Sequence, residues 1–154
     1  EVKGQTINLT EETVTEKGVR AARLKLFSPN TILMAMYGQG ATRGKVAILG
    51  IPATINQACA AIQPNEGLDA VFLFHQLKLR YDEIRSLGRG GNQPNLNLEL
   101  VGSLDVKIPP ISEQQKFKRL IETITDSAKR QSGSENNCES LFASLQSRAF
   151  SGEL

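Results

Sequence analysis

The chain has 154 residues, 40% of them hydrophobic and 22% charged, which is enough for one domain with a real core plus an appendage. The net charge is only +2, and a single histidine, His75, excludes most histidine-based catalytic and zinc constellations. No apolar run approaches a membrane span, and the amino-terminus lacks a signal-peptide pattern.

The start at Glu1 without Met reads as a fragment or a processed piece. Cys59 and Cys138 lie far apart in unlike segments, as expected of thiols in a reducing cytoplasm rather than of a disulfide. Charge is unevenly spread. Residues 1–111 hold 12 Lys/Arg and 10 Asp/Glu, whereas residues 112–154 hold six of each. Within the first part, the stretch from Lys17 to Pro64 carries Lys17, Arg20, Arg23, Lys25, Arg43 and Lys45 and no Asp or Glu. Such a one-sided field attracts phosphates without choosing among base sequences.

In chain order, Thr6 to Leu9 is a brief strand candidate. Thr13 with Glu16 fits a capping box for a short helix that stops at Gly18. Leu24 to Phe27 reads as a strand, Ser28-Pro29-Asn30 as a turn, and Thr31 to Tyr37 as a largely buried strand. A basic turn rich in Gly and Thr then leads into the strand Lys45 to Leu49, and a second turn at Gly50-Ile51-Pro52 precedes another apolar run. Asp69 caps a helix to about Leu79, with Val71, Phe72, Phe74 and Leu77 available for packing and His75 in a packing or surface role. Gly88 to Asn95 is a loop whose Arg89, Asn92 and Gln93 are side-chain types that bond phosphate oxygens or base edges. A short helix near Leu96 to Gly102 and a closing strand, Leu104 to Ile108, complete this part before Pro109-Pro110 enforces an extended break.

Ser112 with Gln115 is a capping pair for a second organising feature, a helix from Ser112 to Ala149. Phe117, Ile121, Ile124 and Ala128 recur at helical spacing, and the stripe resumes in phase at Cys138, Phe142 and Leu145 beyond the polar Arg130 to Asn137 segment. A continuous helix of that length spans about 57 Å, too long for the side of a small domain, so its outer part needs a partner helix; two helices folded back as a hairpin are the alternative. The fold class is therefore α+β: a small, mixed, sheet-rich domain over residues 1–110, followed by a long C-terminal α-helix over residues 111–154 resembling one strand of a coiled coil.

Several motifs fail as catalytic sites. Gly38 to Lys45 invites a phosphate-loop reading, but the glycine spacings are wrong, Val46 stands where a hydroxyl is required, and a strand follows where the mechanism needs a helix N-terminus. Asn8-Leu9-Thr10 is a glycosylation sequon by pattern only. No Ser/His/Asp or Cys/His set can be assembled around one histidine, and neither a metal site nor a cofactor is expected. Asn56-Gln57 fits either base-edge contacts or buried amides satisfying the backbone.

Five pieces in order carry a resemblance: Ile32-Leu33-Met34 leading to Gly40-Ala41-Thr42-Arg43-Gly44-Lys45-Val46; Pro52-Ala53-Thr54-Ile55-Asn56-Gln57; Gly91-Asn92-Gln93-Pro94-Asn95-Leu96; Ile108-Pro109-Pro110-Ile111-Ser112-Glu113-Gln114-Gln115; and Leu141-Phe142 with Arg148-Ala149-Phe150-Ser151-Gly152-Glu153-Leu154. Together they resemble a type I restriction–modification specificity subunit, in its C-terminal half. The resemblance implies a non-catalytic, cytoplasmic protein in which residues 1–110 form a target-recognition domain, truncated at its N-terminus because the usual aromatic-rich opening is absent. Residues 111–154 form a helical spacer and dimerisation segment. The implied partners are double-stranded DNA, the modification subunits that methylate adenine, the restriction subunits that cut, and an antiparallel helix from the other half or a second copy, with no membrane.

The DNA-binding candidates are Lys17, Arg20, Arg23, Lys25, Gln39, Thr42, Arg43, Lys45, Arg89, Asn92 and Gln93, and the helix-packing candidates are Phe117, Ile121, Ile124, Ala128, Phe142 and Leu145. Members of the family read different DNA sequences while sharing the Gly-Ala-Thr-Arg-Gly-Lys and Asn-Gln patterns. Those motifs are therefore expected to build the fold or hold phosphates, leaving base discrimination to Lys17 to Lys25, Gln39 and Arg89. A module that dimerises through its helix without binding DNA is the rival reading.

Overall fold

The computed structural model describes residues 2–3, 5–38, 41–88 and 95–151, with side chains as far as residue 131. Its elements are β1 (Thr6–Ile7), α1 (Glu16–Ala21), β2 (Ile32–Ala35), β3 (Val46–Leu49), β4 (Cys59–Ile62), α2 (Ala70–Leu79), α3 (Tyr81–Leu87), α4 (Leu98–Gly102) and α5 (Ile111–Ser151). The expected α+β class is found: one mixed sheet, short helices and a long C-terminal helix. Two compact units result, Glu1–Gln115 and Lys116–Leu154.

The sheet has the order β1-β3-β2-β4, with β2 antiparallel to both neighbours and β1 parallel to β3. Its register explains why the strands read as continuous apolar runs. Ile32 sits opposite Ile48 and Ile62, and Met34 opposite Val46 and Ala60. Successive residues point to opposite faces of a strand, so this set shares one face. Leu73, Phe74 and Leu77 of α2, Ile84 of α3 and Leu96 cover it. Leu33, Ala35, Ala47 and Leu49 face the other way and pack with Val2, Ile7 and Phe27. A sheet covered on both faces has no polar face to alternate with. Burying each large aliphatic side chain stabilises the unit by roughly 1.5–3 kcal/mol.

Local chemistry moved several boundaries from those expected. Thr15, not Thr13, caps α1, accepting from the Gly18 N–H at 3.1 Å. Gly18 thus lies in the first turn, and the helix ends three residues later, with Arg23 in the left-handed region at φ 50°. Asp69 caps α2 as expected, accepting from Val71 N and Phe72 N. Leu24 to Phe27 forms no strand beyond a single bridge between Phe27 and Ala53. Leu104 to Ile108 is not a strand either. The Gln76 side-chain amide donates to Lys107 O at 2.9 Å and accepts from Lys107 N at 2.7 Å, imitating one rung of a ladder from a helix. Helix α5 opens at Ile111, where Pro110 O accepts from Glu113 N and Gln114 N, so Ser112 and Gln115 are not its caps.

The backbone of α5 is one helix of 41 residues, passing through Gly133 without the hairpin that the polar segment allowed. It spans about 62 Å at 1.5 Å per residue. Its first turn is anchored in the first unit by Gln114, which is fully buried. The Gln114 Oε1 accepts from Asp69 N at 2.8 Å, and Nε2 donates to Gly67 O at 3.0 Å and Pro109 O at 2.7 Å. Among the described residues, no helix is long and apolar enough to cross a membrane.

Candidate nucleic-acid interface

The turn between β2 and β3 is closed at both ends by glycines that no other residue type replaces easily. Gly38 has φ 127° and Gly44 φ 84°, a region costly to side chains with a Cβ. Gly44 N donates to Ala35 O, and Ala35 N is bonded to Lys45 O, which seats the far end of the turn on β2. Helix α3 holds the middle. The Tyr81 hydroxyl donates to Ala41 O at 2.9 Å, and Arg85 Nη1 donates to the Tyr81 oxygen at 2.6 Å.

This turn does not present its cations as a uniform surface. Thr42 is exposed, but Arg43 is only 7% exposed. The Arg43 Nε is buried with no hydrogen-bond partner. An arginine packed in this way holds its stem against the fold.

Lys45 behaves differently. It lines a cavity of about 260 Å³ together with Lys3, Gly44, Val46, Lys78 and Tyr81. The parallel pairing of β1 with β3 explains the first partner: Lys3 and Lys45 each lie three residues ahead of the paired residues Thr6 and Ile48. Lys78 comes from the last turn of α2, its Nζ 5.6 Å from the centroid of the Phe74 ring. Lys3 and Lys78 were missed by sequence reasoning, since nothing local links them to Lys45.

The remaining candidates are dispersed. Lys17 and Arg23 are exposed. Arg20 pairs with Glu16 at 3.1 Å, so an acid one residue outside the acid-free stretch partly neutralises it. Lys25 donates to Gln63 Oε1 at 3.3 Å and lies 4.8 Å from the centroid of Phe27, a residue of the cluster on the opposite sheet face from α2. None of these four lines the Lys3–Lys45–Lys78 cavity. Gln39, Arg89, Asn92 and Gln93 lie outside the described residues. Asn56 and Gln57 are exposed rather than buried, and Asn56 Oδ1 accepts from Ala58 N at 3.0 Å, an amide closing its own turn.

His75 is half-buried on α2, edge-on to Phe74 with ring centroids 5.0 Å apart. Desolvation, and secondarily the charge of Lys78, push its pKa below the ordinary histidine value. Among the described residues, no group of three or more His, Cys, Asp or Glu is placed to hold a metal. On α5, Phe117 and Ile121 are partly covered, whereas Ile124 and Ala128 are exposed. Leu120 and Ile124 are 58% and 56% exposed. Phe142 and Leu145 lie beyond the described side chains.

Residues 3–137 match the model of the type I restriction modification DNA specificity domain. The chain belongs to that family. This specificity domain is 26% identical over 129 residues to the type I restriction enzyme EcoR124I/EcoR124II specificity subunit of Escherichia coli, covering 79% of this chain and 31% of the relative. It is 28% identical over 122 residues to the MjaIX specificity subunit of Methanocaldococcus jannaschii, covering 78% and 28%. The chain therefore spans about a third of the length of these curated relatives. A solved chain from work on complex assembly and conformational transition of the type I R-M system shares the fold, with a TM-score of 0.60 at 19% identity over 84% of this specificity domain and 33% of that chain.

Proposed function

We propose that this chain is a target-recognition segment of a type I specificity subunit, reading double-stranded DNA without chemistry of its own. The observation that carries this reading is the specificity-domain match over residues 3–137. The stretch from Lys17 to Pro64, with six Lys/Arg and no Asp or Glu, supports it electrostatically. In this reading phosphate contacts fix the register of the domain on the duplex, and base-edge contacts select the site. Residues 1–110 supply recognition, and residues 111–154 act as spacer and dimerisation arm. The modification subunits methylate adenine and the restriction subunits cut, in a cytoplasmic complex that the specificity subunit directs.

Base discrimination falls to Lys17, Arg20, Arg23 and Lys25, which are exposed, together with Gln39 and Arg89. Helix α5 pairs with an antiparallel helix from the other half or from a second copy. Leu120 and Ile124, both more than half exposed, favour such pairing, because water is a poor neighbour for two large aliphatic side chains one turn apart.

Selection of bound duplexes from a random-sequence pool by the assembled complex tests the function. Enrichment of a defined sequence, lost when a complex without this chain is used, is the expected result. Recovery of unenriched duplex alone would overturn sequence recognition. Absence of any duplex binding at low ionic strength, with oligomerisation intact, would favour the interaction-module reading.

A further inference from the structure

Among the described side chains of α5 only one is buried, and it is polar: Gln114. Its neighbours Ile111, Ser112, Glu113 and Gln115 are exposed. An apolar root would be held by a force without direction, leaving the helix free to roll or tilt. An amide holds at fixed angles, because a hydrogen bond weakens steeply once donor and acceptor are misaligned. Gln114 makes three such bonds. Its Oε1 accepts from Asp69 N at 2.8 Å, and its Nε2 donates to Gly67 O at 3.0 Å and Pro109 O at 2.7 Å.

The receiving side is itself fastened. Asn65 Oδ1 accepts from Gly67 N at 3.1 Å and Asn65 O from Leu68 N at 3.0 Å, closing the turn that presents these groups. Asp69 then caps α2, whose Leu73, Phe74 and Leu77 belong to the core under the sheet. The segment leading into α5 is tied to the same helix. Arg80 Nη1 donates to Asp105 O, and the Gln76 amide exchanges two bonds with the Lys107 backbone. Packing and directional bonds thus run unbroken from the sheet through α2 to the first turn of α5, all within the first unit, Glu1–Gln115.

Lever arithmetic makes that root decisive. A tilt of about 3° at the base of a helix of about 62 Å moves its far end by about 3 Å, close to the ~3.4 Å rise of one base pair. A small angular freedom at Gln114 therefore becomes a whole step of register along a duplex.

We propose that Gln114 is a positioning residue that fixes the half-site spacing a type I complex accepts, by locking the direction of α5 at its root. The inference rests on the DNA-recognition reading and names the joint on which the spacer depends. Gln114 touches no base in this role. It sets where the second half-site lies, not which bases compose it.

The test is selection, by the assembled complex containing the full chain, from a duplex pool random in both base sequence and half-site spacing. Wild type is compared with Gln114→Leu, which keeps the volume and loses all three bonds, and with Gln114→Glu, whose carboxylate keeps an acceptor for Asp69 N and loses both donors. Ile84→Ala, a core loss on α3, controls for stability. The expected result is that all four select the same half-site bases. Wild type and Ile84→Ala prefer one spacing over its neighbours by about tenfold, the discrimination that a mismatched base pair commonly brings, whereas both Gln114 variants fall to about two- to threefold. Thermal midpoints place the variants on one stability scale, and Gln114→Glu carries the test if Gln114→Leu does not assemble.

A single retained spacing in folded Gln114 variants would overturn the joint and leave DNA recognition standing. Equal broadening in Ile84→Ala, or failure of both Gln114 variants to fold, would reduce Gln114 to a stability role and overturn it likewise. Altered half-site bases in the Gln114 variants would make the residue a base reader, again against the proposal. No defined sequence in the wild-type selection would overturn it together with the reading beneath it.

Discussion

The Gln114 side chain accepts from the Asp69 backbone N–H at 2.8 Å, and so ties the opening of α5 to the cap of α2. The same amide donates to Gly67 O and Pro109 O. One buried side chain thus satisfies three backbone groups from two segments, and leaving such groups unpaired costs about 1–3 kcal/mol. Gln114→Leu keeps the volume and discards the bonds. It is expected to lower unfolding free energy by about 2–3 kcal/mol in urea, whereas Gln115→Ala, at an exposed position, stays within about 0.5 kcal/mol.

Arg43 separates packing from charge. Its stem is buried while its Nε finds no acceptor. Arg43→Met retains an unbranched apolar stem and removes the charge, so its denaturation midpoint is expected to match or exceed that of the wild type. Arg43→Ala forfeits the packing and is expected to cost on the order of 1–2 kcal/mol. A large loss in the Met variant would show that the guanidinium itself is held.

His75 gives stability a pH dependence with a definite sign. Its pKa is lowered in the folded chain, first by desolvation and then by Lys78. The unfolded state therefore binds the proton more readily, and stability rises with pH wherever that difference operates. The His75 contribution is full above the ordinary histidine pKa of about 6.5 and is lost as pH falls through that value toward the lower folded pKa. Urea midpoints measured from pH 8 down to 5 should decline. The decline should be shallower in His75→Gln, which does not titrate.

The exposed pair on α5 has a measurable consequence for assembly. Leu120 and Ile124 are one turn apart on a helix face that is uncovered at both positions. If a second helix covers them, Leu120→Ser with Ile124→Ser weakens self-association by at least tenfold in sedimentation equilibrium, since each buried aliphatic side chain contributes about 1.5–3 kcal/mol. Helix content by circular dichroism should fall at the same time, because a long helix draws much of its stability from a packed face.

Much of the fold was legible because its signals are local. Asp69 announced α2 by standing before an apolar helical run, and the runs around Ile32–Ala35 and Val46–Leu49 announced two buried strands. The stripe of α5 held phase across Gly133, and the helix backbone follows it. Leu104 to Ile108 misled because a side-chain amide, Gln76, took the place of a neighbouring strand. The site was less legible for two reasons. Charge counted along the sequence has no direction, so it did not tell Arg43, which the fold buries, from the exposed Lys17 and Arg23. Lys3 and Lys78 line one cavity with Lys45 only through a parallel register and a helix docked on the sheet, neither of which any short stretch encodes.

The strand that brings Lys3 into place is only two residues long. Around it, Ile48 N bonds to Gln5 O and Gly50 N to Ile7 O, a slender fastening for a sheet edge. That border is therefore expected to part before the middle of the sheet does, and amide exchange at Ile48 and Gly50 should outrun that at Leu49, whose N–H bonds to Thr31 O instead.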